Sequence, residues 1–151
     1  MKFTNSLIKG KLLKRYKRFF ADIKVNNKII TAHCPNTGSM QGLLDQGNEV
    51  LVTEHNDPKR KLKFTLEIIK AKRRYVGVNT HRANKIVNHG LENKLISEFK
   101  NIKNIKPEFK FSDDTRFDFL CDCNLIEVKN VTLFRENDIA EFPDAVTSRG
   151  T

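Results

Sequence analysis

The chain has 151 residues, 38% apolar and 30% charged, which suits one sizeable domain or two small ones. No apolar run approaches the ~18 residues needed to span a membrane, and the N-terminal stretch lacks the apolar core and small-residue cleavage site of a secretory signal. The net charge of +10 is uneven: residues 1–77 hold 17 Lys and Arg against 6 Asp and Glu, and residues 78–151 hold 11 against 12. A basic half of that kind points to a polyanion partner, nucleic acid above all. A Lys-, Asn- and Ile-rich composition inflates charge without function, but the clusters Lys14–Arg18 and Lys70–Arg74 argue against composition alone. The three cysteines (Cys34, Cys121, Cys123) are an odd, sparse set, expected as reduced thiols in a cytoplasmic protein. Cys121 and Cys123 would face the same way, too close in sequence for a relaxed disulfide. With His33 and Cys34 they match no familiar zinc spacing.

Apolar and β-branched runs predict strands over 7–13, 19–25 and 29–34, with a hairpin turn at Val25-Asn26-Asn27-Lys28. Between the first two lies Lys14-Arg15-Tyr16-Lys17-Arg18, followed by Phe19-Phe20. Cations interleaved with rings suit single-strand binding, in which charge follows the backbone and rings stack on bases. The alternative is that the rings fill a barrel and the cations face water. Residues 35–42, PNTGSMQG, read as a loop whose amides could cradle a phosphate, although most such stretches are only turns. Strands over 50–54 and 62–71 complete five, the count of a small Greek-key barrel of the oligonucleotide-binding sort.

After a bridge over 75–80 the texture changes. Ala83, Ile86, Val87, Leu91, Leu95, Ile96 and Phe99 follow helical spacing, with Gly90 as the expected break. A strand is expected near 108–111, then a turn at Ser112-Asp113-Asp114, then a hairpin over 115–133. A two-residue turn at Asp122-Cys123 would pair Cys121 with Asn124, Phe119 with Ile126, Phe117 with Val128 and Asp118 with Glu127. The Phe117/Phe119/Cys121 face is then the apolar one. On the other face two carboxylates oppose each other and repel. A divalent cation would compensate, with Lys129 two residues from Glu127; alternatively Arg116 and Lys129 neutralise an ordinary solvated face.

Asp118 followed by Glu127-Val128-Lys129, after a helix bearing Glu92, resembles the PD-(D/E)xK nuclease pattern. More specific are RYKRFFAD (15–22), HCPNTGSM (33–40), VNT (78–80), RFDF (116–119), EVKNVTL (127–133) and FPDAVTSRG (142–150). In that order they resemble the sugar fermentation stimulation protein A family. The resemblance implies an α+β protein. Residues 1–77 would form an oligonucleotide-binding-fold (OB-fold) β-barrel, and residues 78–151 a PD-(D/E)xK, restriction-endonuclease-like domain. That second domain is expected to be incomplete at its C-terminus, since the family continues beyond FPDAVTSRG and this chain corresponds to roughly two thirds of a member.

The resemblance also implies DNA as partner; RNA stays open as an alternative because nothing in the sequence reads a 2′-hydroxyl, and the lack of a long apolar run leaves no membrane partner expected. It implies Asp118, Glu127, Lys129 and Glu92 as the catalytic set, with Glu98 a weaker substitute for Glu92. Asp118 and Glu127 would hold Mg²⁺ or Mn²⁺, lowering the pKa of a bound water. Lys129 would orient or deprotonate that water or contact the phosphate. Arg15, Tyr16, Lys17, Arg18, Asn36, Thr37 and Gly38 are the expected nucleic-acid contacts. The competing expectation is a non-catalytic DNA-binding regulator of sugar catabolism genes, since fold does not guarantee activity.

Overall fold

The structure is a computed structural model that describes residues 2–134 and 140–141. The FPDAVTSRG segment and residues 135–139 of the polar loop before it lie outside the described residues. Contacts divide the described residues into two compact units, residues 2–80 with 130–134 and 140–141, and residues 81–129.

The larger unit is a barrel of β1 (Leu7–Tyr16), β2 (Phe20–Val25), β3 (Lys28–His33), β4 (Glu49–Glu54) and β5 (Phe64–Ala71). Antiparallel pairing runs β3-β2-β1-β4-β5. A short parallel pairing, Ala32 with Phe64 and His33 with Thr65, joins β3 to β5 and closes the sheet on itself. Closure removes the open edges that would otherwise template aggregation. Alternation then sorts the side chains: Leu12, Ile23, Val50, Val52, Leu66 and Ile69 are fully buried inside, and lysines face out. The turn at Asn26-Asn27 forms as expected, with Asn26 at φ 52° and Val25 paired to Lys28.

Three features differ from the sequence reading. β1 continues through Lys14-Arg15-Tyr16, so the basic run is strand and only Lys17-Arg18 is turn. A bulge at Leu13 re-aims this end of the strand. Residues 75–77 of the stretch read as a bridge form, with Arg74, strand β6 (Arg74–Gly77) on the β5 edge. The barrel also encloses a carboxylate. Glu67 is 2% exposed, accepting hydrogen bonds from Thr53 Oγ1 at 2.8 Å and Asn79 Nδ2 at 2.9 Å, which offset its burial.

The smaller unit packs helix α1 (His81–Glu92) on a three-stranded antiparallel sheet of β7 (Ile105–Lys110), β8 (Arg116–Cys121) and β9 (Asn124–Ile126). Leu91, Phe119 and Cys121 are its buried centre, ringed by Val87, Ile96, Phe99, Ile105, Ile126 and Val128. The helix does not break at Gly90. It ends after Glu92 in a Schellman motif, with Leu95 N–H to Gly90 C=O at 2.8 Å, Lys94 N–H to Leu91 C=O at 3.1 Å, and Lys94 at φ 56°. Gly90 is instead a packing position, where a Cβ would meet the Ile96 side chain at 3.3 Å. Two residues assigned to the apolar stripe, Ile86 and Leu95, are exposed, because the buried stripe narrows to Val87 and Leu91. β7 begins at Ile105 and accepts Pro107 because it is an edge strand. Beyond β9, β10 (Leu133–Phe134) pairs with β11 (Ala140–Glu141) in a separate ribbon. No helix among the described residues is long and apolar enough to cross a membrane.

Gly10 sets how closely β1 and β2 can pack. A Cβ there would lie 2.5 Å from Ile23 Cγ2 and 3.0 Å from the Lys24 carbonyl oxygen, whereas at Gly77 it would meet nothing within 4 Å. Gly10→Ala should destabilise the barrel by about 1–3 kcal/mol, the usual cost of overpacking. Gly77→Ala should be neutral or slightly stabilising. Urea melts of the two variants check this, and equal midpoints would contradict it.

Candidate functional site around Asp118

The β8–β9 hairpin adopts the register read from the sequence as far as it goes. Cys121 pairs with Asn124 and Phe119 with Ile126, around a turn in which Asp122 takes φ 50°. The Asp122 carboxylate accepts from the backbone N–H of Asn104 at 3.0 Å and of Lys103 at 3.2 Å, and these donors hold its carboxyl below the ordinary range. The turn is thereby fastened to the start of β7. Burial pushes the Cys121 thiol above its ordinary value, with the Asp122 charge adding to it. Cys123, in the turn, is exposed, so the two thiols do not share a face.

The backbone ladder stops at Ile126. Where the extrapolated register would set Asp118 opposite Glu127, the Asp118 carboxylate takes over as acceptor. Its Oδ2 receives the Val128 N–H at 2.7 Å, and its Oδ1 receives Asn84 Nδ2, from the first turn of α1, at 2.5 Å. Asp118 is thus bonded to both the helix and the outgoing chain. Both oxygens have a donor, and each keeps a second lone pair.

Asn84, Asn88 and Glu92 recur every four residues along one helix stripe. With Glu108, Asp118 and Phe119 they line a cleft of about 410 Å³ within this unit. Asn88 Nδ2 donates to Glu92 Oε1 at 2.8 Å. The structure therefore brings Asp118 and Glu92 to one cleft. Glu127 and Lys129 are not among its lining residues; they are exposed and paired with each other, Nζ to Oε1 at 2.6 Å. Arg116, expected beside Asp118, reaches Glu108 at 3.7 Å. Glu98 lies outside the cleft lining, with its carboxyl held low by the Ser97 hydroxyl. Asn84 and Asn88 were missed in the sequence, although their four-residue spacing to Glu92 was the available signal. Among the described residues, no three His, Cys, Asp or Glu side chains converge as metal ligands.

On the barrel, Arg15 spends its guanidinium on carbonyls: Nη2 donates to Asn36 O at 2.7 Å and to Arg18 O at 2.9 Å. It ties the β1–β2 turn to the 34–40 loop. Lys17 and Arg18 are exposed at the turn with φ of 48° and 62°, a conformation that costs non-glycine residues. In the loop, Asn36 is 4% exposed, and its Oδ1 accepts the Gly38 N–H at 2.8 Å. The Asn36 N–H goes to Cys34 O at 2.8 Å. Two of the amides suited to a phosphate cradle are thus used internally, and the exposed residues of the 35–42 loop are Thr37, Ser39, Gln41 and Gly42. Asn36 Nδ2 is buried without a protein partner. Tyr16 lies in a cross-strand pair with Phe20, ring centroids 5.5 Å apart and 16° from parallel.

Comparison with known proteins matches both units. The family model described as the SfsA N-terminal OB domain fits residues 13–78, and the sugar fermentation stimulation protein RE domain fits residues 81–151. The chain is 64% identical to the sugar fermentation stimulation protein homolog of Pelagibacter ubique (strain HTCC1062), over 100% of this chain and 67% of that protein. It is 46% identical to the homolog of Alteromonas mediterranea, over 99% of this chain and 68% of the relative. It thus spans about two thirds of the length of these curated relatives. Among solved structures it resembles Pyrococcus furiosus SfsA in complex with Ca²⁺, with a TM-score of 0.80 and 23% identity, over 99% of this chain and 64% of that one. That likeness speaks for the fold.

The Asn84–Asp118–Val128 connection makes a testable demand. A hydrogen bond to a charged group contributes about 1.5–3 kcal/mol. Asn84→Ala should lower stability by an amount near the low end of that range, because Asp118 is only half-buried. Asp118→Asn keeps one acceptor oxygen in place of two and should also lower the metal-free melting temperature. Asn88→Ala, which removes only an exposed bond, should stay within ~0.5 kcal/mol. Thermal melts check all three, and an unchanged Asn84→Ala midpoint would contradict the connection.

Proposed function

The chain belongs to the sugar fermentation stimulation protein family, and on that premise we propose that it binds DNA and carries a metal-dependent, nuclease-like site of the PD-(D/E)xK type. The observation that carries this reading is Asp118: a carboxylate fixed through both oxygens, opening on a cleft it shares with Glu92, and standing at the first acid of the D…ExK pattern. The excess of Lys and Arg over acids in residues 1–77 supports DNA as the polyanion. Three unpaired cysteines support a reducing, cytoplasmic setting.

The donor chemistry fits a hard divalent ion. Asp118 retains open lone pairs and Glu127 is an exposed carboxylate, and Mg²⁺ commonly uses one or two carboxylates with water completing its shell. The Pyrococcus furiosus relative is described as a Ca²⁺ complex, an ion of the same oxygen-seeking class. Asp118 and Glu127 would hold Mg²⁺ or Mn²⁺, which when bound lowers the pKa of a water and offsets phosphate charge. Lys129, now 2.6 Å from Glu127, supplies a cation to a non-bridging phosphate oxygen or steers the attacking water. Glu92, oriented by Asn88, positions that water or takes its proton. Hydrolysis forms one P–O bond to the water oxygen, breaks the other, and returns a proton to the leaving hydroxyl.

A second reading, a DNA-binding regulator that does not cut, is favoured by the closed Glu127–Lys129 pair and by the absence of a three-ligand cluster among the described residues. Incubating the intact protein with DNA and Mg²⁺ or Mn²⁺ separates the two. The nuclease reading expects metal-dependent cleavage that falls by roughly 100-fold or more in Lys129→Ala, the scale of losing a positioned acid–base group, with DNA affinity retained. Binding without cleavage under either metal would leave the regulator.

A further inference from the structure

The outer face of β1–β2–β3 carries a lysine row that the folded protein alone does not explain and, further along the same face, a row of stacked rings. In one, Lys11 on β1 stands directly opposite Lys24 on β2, and both are exposed. Like charges so placed destabilise a sheet. The nearest acid by register, Glu49 on the other side of Lys11, is already claimed by Lys9 Nζ at 3.0 Å and by the Tyr75 hydroxyl at 3.0 Å. Those two donors hold the Glu49 carboxyl below its ordinary range. In the other row, Tyr16 is stacked on Phe20, with Lys14 Nζ 5.3 Å from the Tyr16 ring centre. The Tyr16 hydroxyl and Thr31 Oγ1 both donate to Asp22 Oδ1, at 3.3 and 2.8 Å, which fixes the ring without using its face.

We infer that this face is a track for an unpaired nucleic-acid strand, with bases extending the Tyr16–Phe20 stack and phosphates relieving the Lys11/Lys24 repulsion. The inference rests on the nucleic-acid reading above and narrows it to single strands. Tyr16 lies five positions along β1 from Lys11, roughly 15 Å at strand rise, which is long enough for a few extended nucleotides. Rings select unpaired strands because a duplex keeps its base faces inside its own stack, whereas every unpaired base offers a face irrespective of sequence. Lysines alone would hold a duplex as well as a strand. The juxtaposition of a ring pair and an unrelieved lysine pair on one sheet face is what distinguishes the two.

The test is fluorescence anisotropy on the full chain without added metal, using a labelled DNA oligonucleotide as single strand and as duplex over a range of salt. The strand should bind at least about tenfold tighter than the duplex. Phe20→Leu should remove most of that preference while leaving duplex binding in place. Because Phe20 is half-buried and its replacement also removes packing, a second variant is read in parallel. Lys11→Gln with Lys24→Gln changes only exposed groups, and should raise the melting temperature while reducing the slope of log affinity against log salt by about 1.4, two single-strand phosphates' worth. Equal affinity for strand and duplex, or a double lysine variant with an unchanged salt slope, would overturn the track and leave general DNA binding standing. Binding of neither form would remove the nucleic-acid reading itself.

Discussion

The smaller unit depends on what one carboxylate does at the point where its hairpin runs out of ladder. β9 contributes only three residues to the sheet. Without a further acceptor the outgoing chain would leave an N–H unpaired beside a forming core, a cost comparable to a lost hydrogen bond. Asp118 supplies that acceptor to Val128 and simultaneously receives Asn84 from α1. The same bonds that fasten helix to hairpin fix the carboxylate's rotamer at the mouth of the cleft. Structural support and chemical orientation come from one group, which explains why the repulsive carboxylate pair expected across the hairpin does not form: Asp118 turns to amide donors, and Glu127 turns to Lys129.

The barrel solves a different problem, that of carrying many cations on a small body. Closure through the β3–β5 pairing buries a continuous apolar interior, so the outward positions are released to lysine. Where cations have local partners they are structural. Arg15 holds two carbonyls, Lys9 holds Glu49, and Lys14 reaches Asp22 at 3.6 Å. Among the described residues, the cations of the β1–β2 turn and the Lys11/Lys24 pair are exposed and belong to those without such an assignment. Geometry rather than residue type thus separates the cations that hold the fold from those left to face solvent.

Much of this was legible in the sequence, for identifiable reasons. The five barrel strands follow from β-branched runs bounded by Asn, Gly and Pro. The hairpin register follows from a period of two once the Asp122-Cys123 turn is placed. The reading failed where tertiary contacts decide. Lys94, not Gly90, takes the left-handed cap, because Gly90 is needed where Ile96 packs closely. Tyr16 reads as loop beside its basic neighbours, yet its pairing with Phe20 keeps it in the sheet. Asn84 carries no charge and gave no motif, and only the folded helix shows it reaching Asp118. Glu67 carries no sequence signal of burial either, and only the folded barrel shows Thr53 and Asn79 donating to it.

The central claim is that the oriented Asp118 carboxylate serves a divalent ion as well as the fold. The most direct measurement is the melting temperature of the intact protein with and without Mg²⁺ or Mn²⁺, beside the same pair of curves for Asp118→Asn. An ion bound only by the folded state raises the midpoint as its concentration exceeds the dissociation constant. The account expects a concentration-dependent rise in the native chain and none in the variant. A native melting curve indifferent to both metals would contradict it, leaving Asp118 a hydrogen-bonding strut.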